Sequence, residues 1–182
     1  MTIYIHKKYK RKIGKYLYSL QKLIRNKKLS YILVNYHQFY DSYPLKVCCQ
    51  LGNLYALKLL IDKNKQKLTF YPIDYAASNG HLHVIKWLHK NRTEGCDIWA
   101  MNEAAANGHL HIIKWLHKNR TEGCTVWAIN YASLNGHLNI ISWLHKNRYE
   151  GCTYAAMDWA AKNEHIKIYN YLMKHKDELL KN

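Results

Sequence analysis

The feature that most constrains this 182-residue chain is a stretch that it repeats. Residues 107–124, NGHLHIIKWLHKNRTEGC, recur almost unchanged at 79–96 and more loosely at 135–152. Laying glycine on glycine puts Gly52, Gly80, Gly108 and Gly136 in one slot and Glu164 in the next, so the period is 28 residues and five units cover 41–182. A unit of this length cannot bury its own apolar face. Stacked copies bury it for one another, and a solenoid results.

Punctuation divides each unit into helix, turn and helix. The two prolines, Pro44 and Pro72, stand one period apart, where the first position of a helix tolerates the missing N–H and uses the fixed φ. Later units open at Trp99-Ala100-Met101, Trp127-Ala128-Ile129 and Ala155-Ala156-Met157, with Asp97, Thr125 and Thr153 just upstream as expected N-caps. Asn107-Gly108 and its equivalents suit a left-handed conformation that stops the first helix and reverses the chain. The second helix places Leu110, Ile113, Leu116 and His117 on one face, widened by Ile112 and Trp115, and ends near Arg120. Residues 1–40 fall outside this frame. There Ile13, Tyr16, Leu17, Leu20, Leu23 and Ile24 predict an amphipathic helix, with a second from about 29 to 39, together a basic N-terminal capping region ahead of the array at 41–182.

Tyr71-Pro72-Ile73-Asp74, Ala76-Ala77, Gly80-His81-Leu82 and Val84-Ile85-Lys86-Trp87-Leu88 together resemble the ankyrin repeat. That family shows a Thr-Pro-Leu-His start, an alanine pair, a Gly-His turn and an apolar second helix. The likeness recurs in register over about 43–175. It implies an all-α solenoid of stacked helix-turn-helix units. The family's unit has about 33 residues; the shorter period here lacks residues between the second helix and the next first helix, so the β-hairpin fingers are expected to be shortened or absent. The resemblance also implies a non-catalytic protein–protein interaction module that uses the inner face of its first helices.

The formal charge of +16 is unevenly spread. Residues 1–30 hold ten Lys or Arg and no acid, whereas 31–182 hold 18 bases against 12 acids. The cluster Lys7, Lys8, Lys10, Arg11, Lys12 is therefore the candidate polyanion site for a rival reading, nucleic-acid binding. Columns of Lys90, Lys118, Lys146 and Lys174, and of Arg92, Arg120 and Arg148, recur on the second helices. They could follow a phosphate backbone, although cations near helix C-termini are also favoured by the helix dipole and keep a solenoid in solution.

No catalytic constellation or phosphate loop stands out. The pairs His81/His83 and His109/His111 recur because the unit was copied, whereas a metal site is a singular constellation; these histidines are expected to cap or bridge units, and neither metal nor cofactor is expected. Cys96, Cys124 and Cys152 share one slot that predicts a packing position with free thiols, and Trp87, Trp115 and Trp143 predict contacts between stacked helices. Variation is concentrated in two slots of the first helix, Val47/Tyr75/Glu103/Tyr131/Trp159 and Gln50/Ser78/Ala106/Leu134/Lys162. Three residues apart, they share one face of each helix, and stacking aligns the faces into a strip. Tyr75, Ser78, Glu103, Tyr131, Leu134, Trp159 and Lys162 are the candidate contacts for an unidentified protein partner. With no apolar run long enough to span a bilayer and no signal-like N-terminus, the expected protein is a cytoplasmic or nuclear monomer.

Overall fold

The computed structural model describes residues 43–64 and 71–180. The helices expected over 1–40, with the basic cluster from Lys7 to Lys12, lie outside the described residues. Two compact bodies divide near residue 66. The first holds α1 (Tyr43–Leu51) and α2 (Leu54–Asn64), a pair closed over Leu45, Cys48, Cys49, Ala56, Leu57 and Leu60, all buried. Val47 is buried as well.

The second body is four units of paired helices. They are α3 (Pro72–Ser78) with α4 (Leu82–Asn91), α5 (Trp99–Ala106) with α6 (Leu110–Asn119), α7 (Trp127–Leu134) with α8 (Leu138–Asn147), and α9 (Tyr154–Lys162) with α10 (Ile166–Lys174). A single turn, α11 (Lys176–Leu179), follows. Each helix packs on its partner, and the first helices stack in series, α3 on α5, α5 on α7 and α7 on α9. Alanine permits the close approach: Ala76, Ala77, Ala104, Ala105, Ala132 and Ala160 are all fully buried between neighbours. The second helices close the other side with Val84/Ile85/Leu88, Ile112/Ile113/Leu116 and Ile140/Ile141/Leu144, and each such side chain contributes roughly 1.5–3 kcal/mol on burial. Ile112 takes the deep position beside Ile113, while Leu110, placed on the apolar face by the sequence reading, is only half buried.

Helix starts follow the expectation at Pro72, which sits in the first turn of α3. They depart from it further on. The N-cap positions of α5 and α7 are Ile98 and Val126, and Thr153, which does precede α9, makes no side-chain cap bond. The Thr125 hydroxyl does accept the Trp127 N–H at 3.3 Å, and Asp97 Oδ1 accepts the Ile98 N–H at 2.6 Å, but Asp97, Thr125 and Thr153 also bond to the preceding unit. Thr125 donates its backbone N–H to Asn102 Oδ1 at 3.1 Å while its hydroxyl accepts from Asn102 Nδ2 at 3.0 Å. Asn130 and Thr153 repeat the pair at 3.1 and 2.8 Å, and Asp97 donates its N–H to Asp74 at 3.0 Å. Asn102 and Asn130 are fully buried, so this reciprocal bond satisfies groups that would otherwise cost about 1–3 kcal/mol each. It stands where a hairpin finger would be. Among the described residues there is no β-strand, and one isolated bridge joins Cys152 to Leu180.

Candidate functional site

The nearly invariant block of the repeat is structural. Gly80, Gly108 and Gly136 take φ near +83°, and the space above each is filled by the next unit's histidine: a Cβ on Gly108 would lie 3.0 Å from His137 Cε1. That ring reaches back to the end of the preceding first helix, His137 Nε2 to the Ala106 carbonyl at 3.1 Å and His165 Nε2 to the Leu134 carbonyl at 3.2 Å. The Gly-His histidines therefore bridge units, as expected. Burial, outweighing the bond to Ser78 and joined by the neighbouring histidines, lowers the pKa of His109.

The link NRTEGC is a second bridge. Arg120 forks onto Glu122, its Nη1 lies 3.3 Å from His89 Nδ1 of the preceding unit, and a Cβ on Gly95 would meet Arg120 Nη2 at 2.9 Å. Arg148 does the same with Glu150, His117 and Gly123. Burial works against the charge on Glu122 and Glu150, but the guanidinium bonds hold both carboxyls below the usual range, while the same bonds raise Arg120 and Arg148. The arginine column is thus engaged in the fold, unlike Lys90, Lys118, Lys146 and Lys174, which are exposed. The tryptophan column packs edge-on against histidines of the unit before, His89 on Trp115 at 5.2 Å and His117 on Trp143 at 5.3 Å. All five cysteines are free and buried. Burial pushes the Cys96 and Cys124 thiols up to about 12 and Cys152 to about 11, which leaves them without thiolate reactivity at neutral pH.

Away from these bridges, the first helices present side chains that the repeat does not need. Trp127, Tyr131 and Trp159 stack against one another, with ring centroids 5.3 Å apart between Trp127 and Tyr131 and 6.1 Å between Trp159 and each of the other two, the Tyr131–Trp159 pair inclined by only 5°. Two units earlier, Tyr71, Tyr75 and Trp99 line a groove of about 380 Å³ together with Asp74, Ser78, Asp97 and Glu103. Three carboxylates enter this groove, and among the described residues none of them forms an ion pair. Burial pushes Asp74 up to about 7; the Asp97 N–H opposes the shift, and the charges of Asp97 and Glu122 add to it.

Of the candidate contacts, Tyr75, Ser78 and Glu103 come together in the groove, where Ser78 Oγ donates to Glu103 at 3.4 Å. Tyr131 and Trp159 come together in the stack. Leu134 is half buried, and Lys162 is exposed outside both groups. Tyr71, Trp99 and Trp127 were missed. Each precedes a strip residue by four positions and so shares its helix face, a spacing that could have found them; at 50, 43 and 39 % exposure they are the most open rings of the face. Asp74 and Asp97 carry no such signal, because only the structure places them in the groove.

Two models of ankyrin repeats match the sequence, one described as three copies over residues 101–182 and one described as many copies over residues 45–89. No curated protein matches it. With 28-residue helical pairs stacked through alanine and joined by Gly-His turns, and with these two matches, the chain belongs to the ankyrin-repeat family.

Proposed function

We propose that the protein is a non-catalytic binding module that docks a partner protein on its first-helix face. The stack of Trp127, Tyr131 and Trp159 serves as the apolar anchor. The groove between Tyr71 and Trp99 receives a lysine or arginine side chain of the partner. Ankyrin repeats are generally protein–protein interaction modules; the observation that carries the reading for this chain is that its open aromatic rings and three carboxylates outside ion pairs share one face. Aromatic residues dominate binding hot spots, and a cation held over such rings gains about 0.5–2 kcal/mol as it is desolvated.

The test is a paired purification of tagged wild-type protein and a Tyr131→Ala/Trp159→Ala variant from the native cell, each with and without nuclease. Proteins retained after nuclease by the wild type and lost from the variant, at equal helix content, support the reading. Retention of the same proteins by both would overturn it. Loss of every partner on nuclease treatment would instead favour the polyanion reading, which draws on Lys7, Lys8, Lys10, Arg11 and Lys12 and on the exposed lysine column.

A further inference from the structure

The last unit departs from the copied pattern at the end of its second helix. In the units before it, Asn91, Asn119 and Asn147 hold one slot and donate to the carbonyls of Trp87, Trp115 and Trp143 at 2.8 Å. The next copy of that slot is His175, and the arginine that follows in the other units is Lys176. His145 consequently has no arginine to meet, as His89 and His117 do. It faces His175 instead, with ring centroids 4.9 Å apart, and its Nε2 lies 2.8 Å from Glu178 Oε2. The other oxygen of the same carboxylate is 3.7 Å from His175 Nδ1.

We infer that His145, His175 and Glu178 form a binding site for a divalent transition metal, with zinc the best match. Two imidazole nitrogens and one carboxylate are a donor set that zinc takes and that magnesium and calcium do not prefer. The three ligand atoms lie within 4.8 Å of one another. A tetrahedral zinc site needs them about 3.4 Å apart, and Glu178, whose side chain is 66 % exposed, has the freedom to close that gap. The site carries its own outer support. Tyr171 Oη lies 2.9 Å from His145 Nδ1, and a hydroxyl serves there in both states. Without metal it donates to Nδ1 while Nε2–H donates to Glu178. With metal on Nε2 the ring's single proton sits on Nδ1, and the hydroxyl accepts it, which fixes the tautomer as outer partners of metal-bound histidines do. A water would complete the four ligands that zinc takes.

Unlike the His-x-His pairs, this constellation occurs once among the described residues. It ties the end of α8 to the junction of α10 and α11, where the final turn is otherwise fastened by the Cys152 N–H on the Leu179 carbonyl at 2.8 Å. Metal would therefore act as a staple on the last unit and raise its stability by mass action.

The test is a calorimetric titration of the full chain, stripped with chelator, with zinc chloride, together with thermal melts. His175→Asn restores the residue of the other units and is expected to fold; Glu178→Gln removes the carboxylate alone. Expected are one equivalent of zinc bound, a melting temperature that rises with zinc, affinity at least 100-fold weaker in either variant, and roughly 10-fold weaker in Tyr171→Phe. A His83→Asn/His111→Asn control keeps the binding. Absence of saturable binding, or a stoichiometry and affinity unchanged in His175→Asn and Glu178→Gln, would overturn the assignment.

Discussion

Gly108 serves the turn and its neighbour at the same time. Its φ of +83° stops α5, and its bare Cα leaves the gap that the His137 ring occupies. Gly108→Ala is therefore expected to cost about 2–3 kcal/mol, the backbone strain and the displaced ring bond each contributing about 1 or more. His137→Ala alone should cost about 1 kcal/mol. The double variant should cost less than the sum, because the ring that clashes is gone; strictly additive denaturation midpoints would show that glycine and histidine act independently. Glu164 occupies the glycine slot at φ 58° in the last unit. Glu164→Gly should add up to ~1 kcal/mol by relieving the left-handed strain. Asp74 presents the opposite balance of charge and burial. Its carboxyl is held near 7 in the fold against about 4 unfolded, so the stability it contributes is complete below pH 4 and lost as pH rises toward 7 and through it. Asp74→Asn, the residue of the next two units, should remove that slope, and melting curves from pH 5 to pH 8 should show the variant gaining several degrees on wild type at the alkaline end.

At the scale of helices and links, much of this was legible because the cues are local and periodic. A glycine every 28 residues, a proline at a helix start and a pair of alanines each have one mechanical use, and the structure puts each to that use. Caps were legible only in part, for a related reason. Thr125 does take the Trp127 N–H on its hydroxyl, but the same oxygen accepts from Asn102, 23 residues away, which a rule that knows only neighbours in sequence does not show. The groove was illegible for the same cause: Asp74 and Asp97 belong to different units, and only stacking brings them together. The link between helices yields a sharper expectation. Arg120 holds Glu122, His89 and the Gly95 turn at once, and a lysine cannot reproduce a planar fork. Arg120→Lys should cost about 1–2 kcal/mol, whereas Lys118→Ala on the exposed column should change stability by less than about 0.5 kcal/mol. Equal effects would mean that the fork contributes nothing to joining the units.

Across the whole molecule, charge and binding face point in different directions, and that contrast separates the two readings of function. The chain carries +16, yet the groove on its first-helix face collects Asp74, Asp97 and Glu103. A basic partner is repelled by the molecule at long range and attracted by the groove at contact. Salt screens charges separated by more than about 10 Å at 0.1 M and leaves close, partly buried contacts largely intact. Affinity for a basic partner should therefore change little, or rise, between 50 and 200 mM salt. A polyanion held by the lysine column and the N-terminal cluster releases counterions and should lose about 10³–10⁵ in affinity over the same range. Substitution sharpens the comparison. Glu103→Lys should cut partner affinity at least tenfold by placing a like charge in the groove, while Lys118→Glu/Lys146→Glu should leave it within about threefold. The reverse pattern, a steep salt slope with sensitivity at Lys118 and Lys146 and none at Glu103, would move recognition from the first helices to the second and make the ligand an anion.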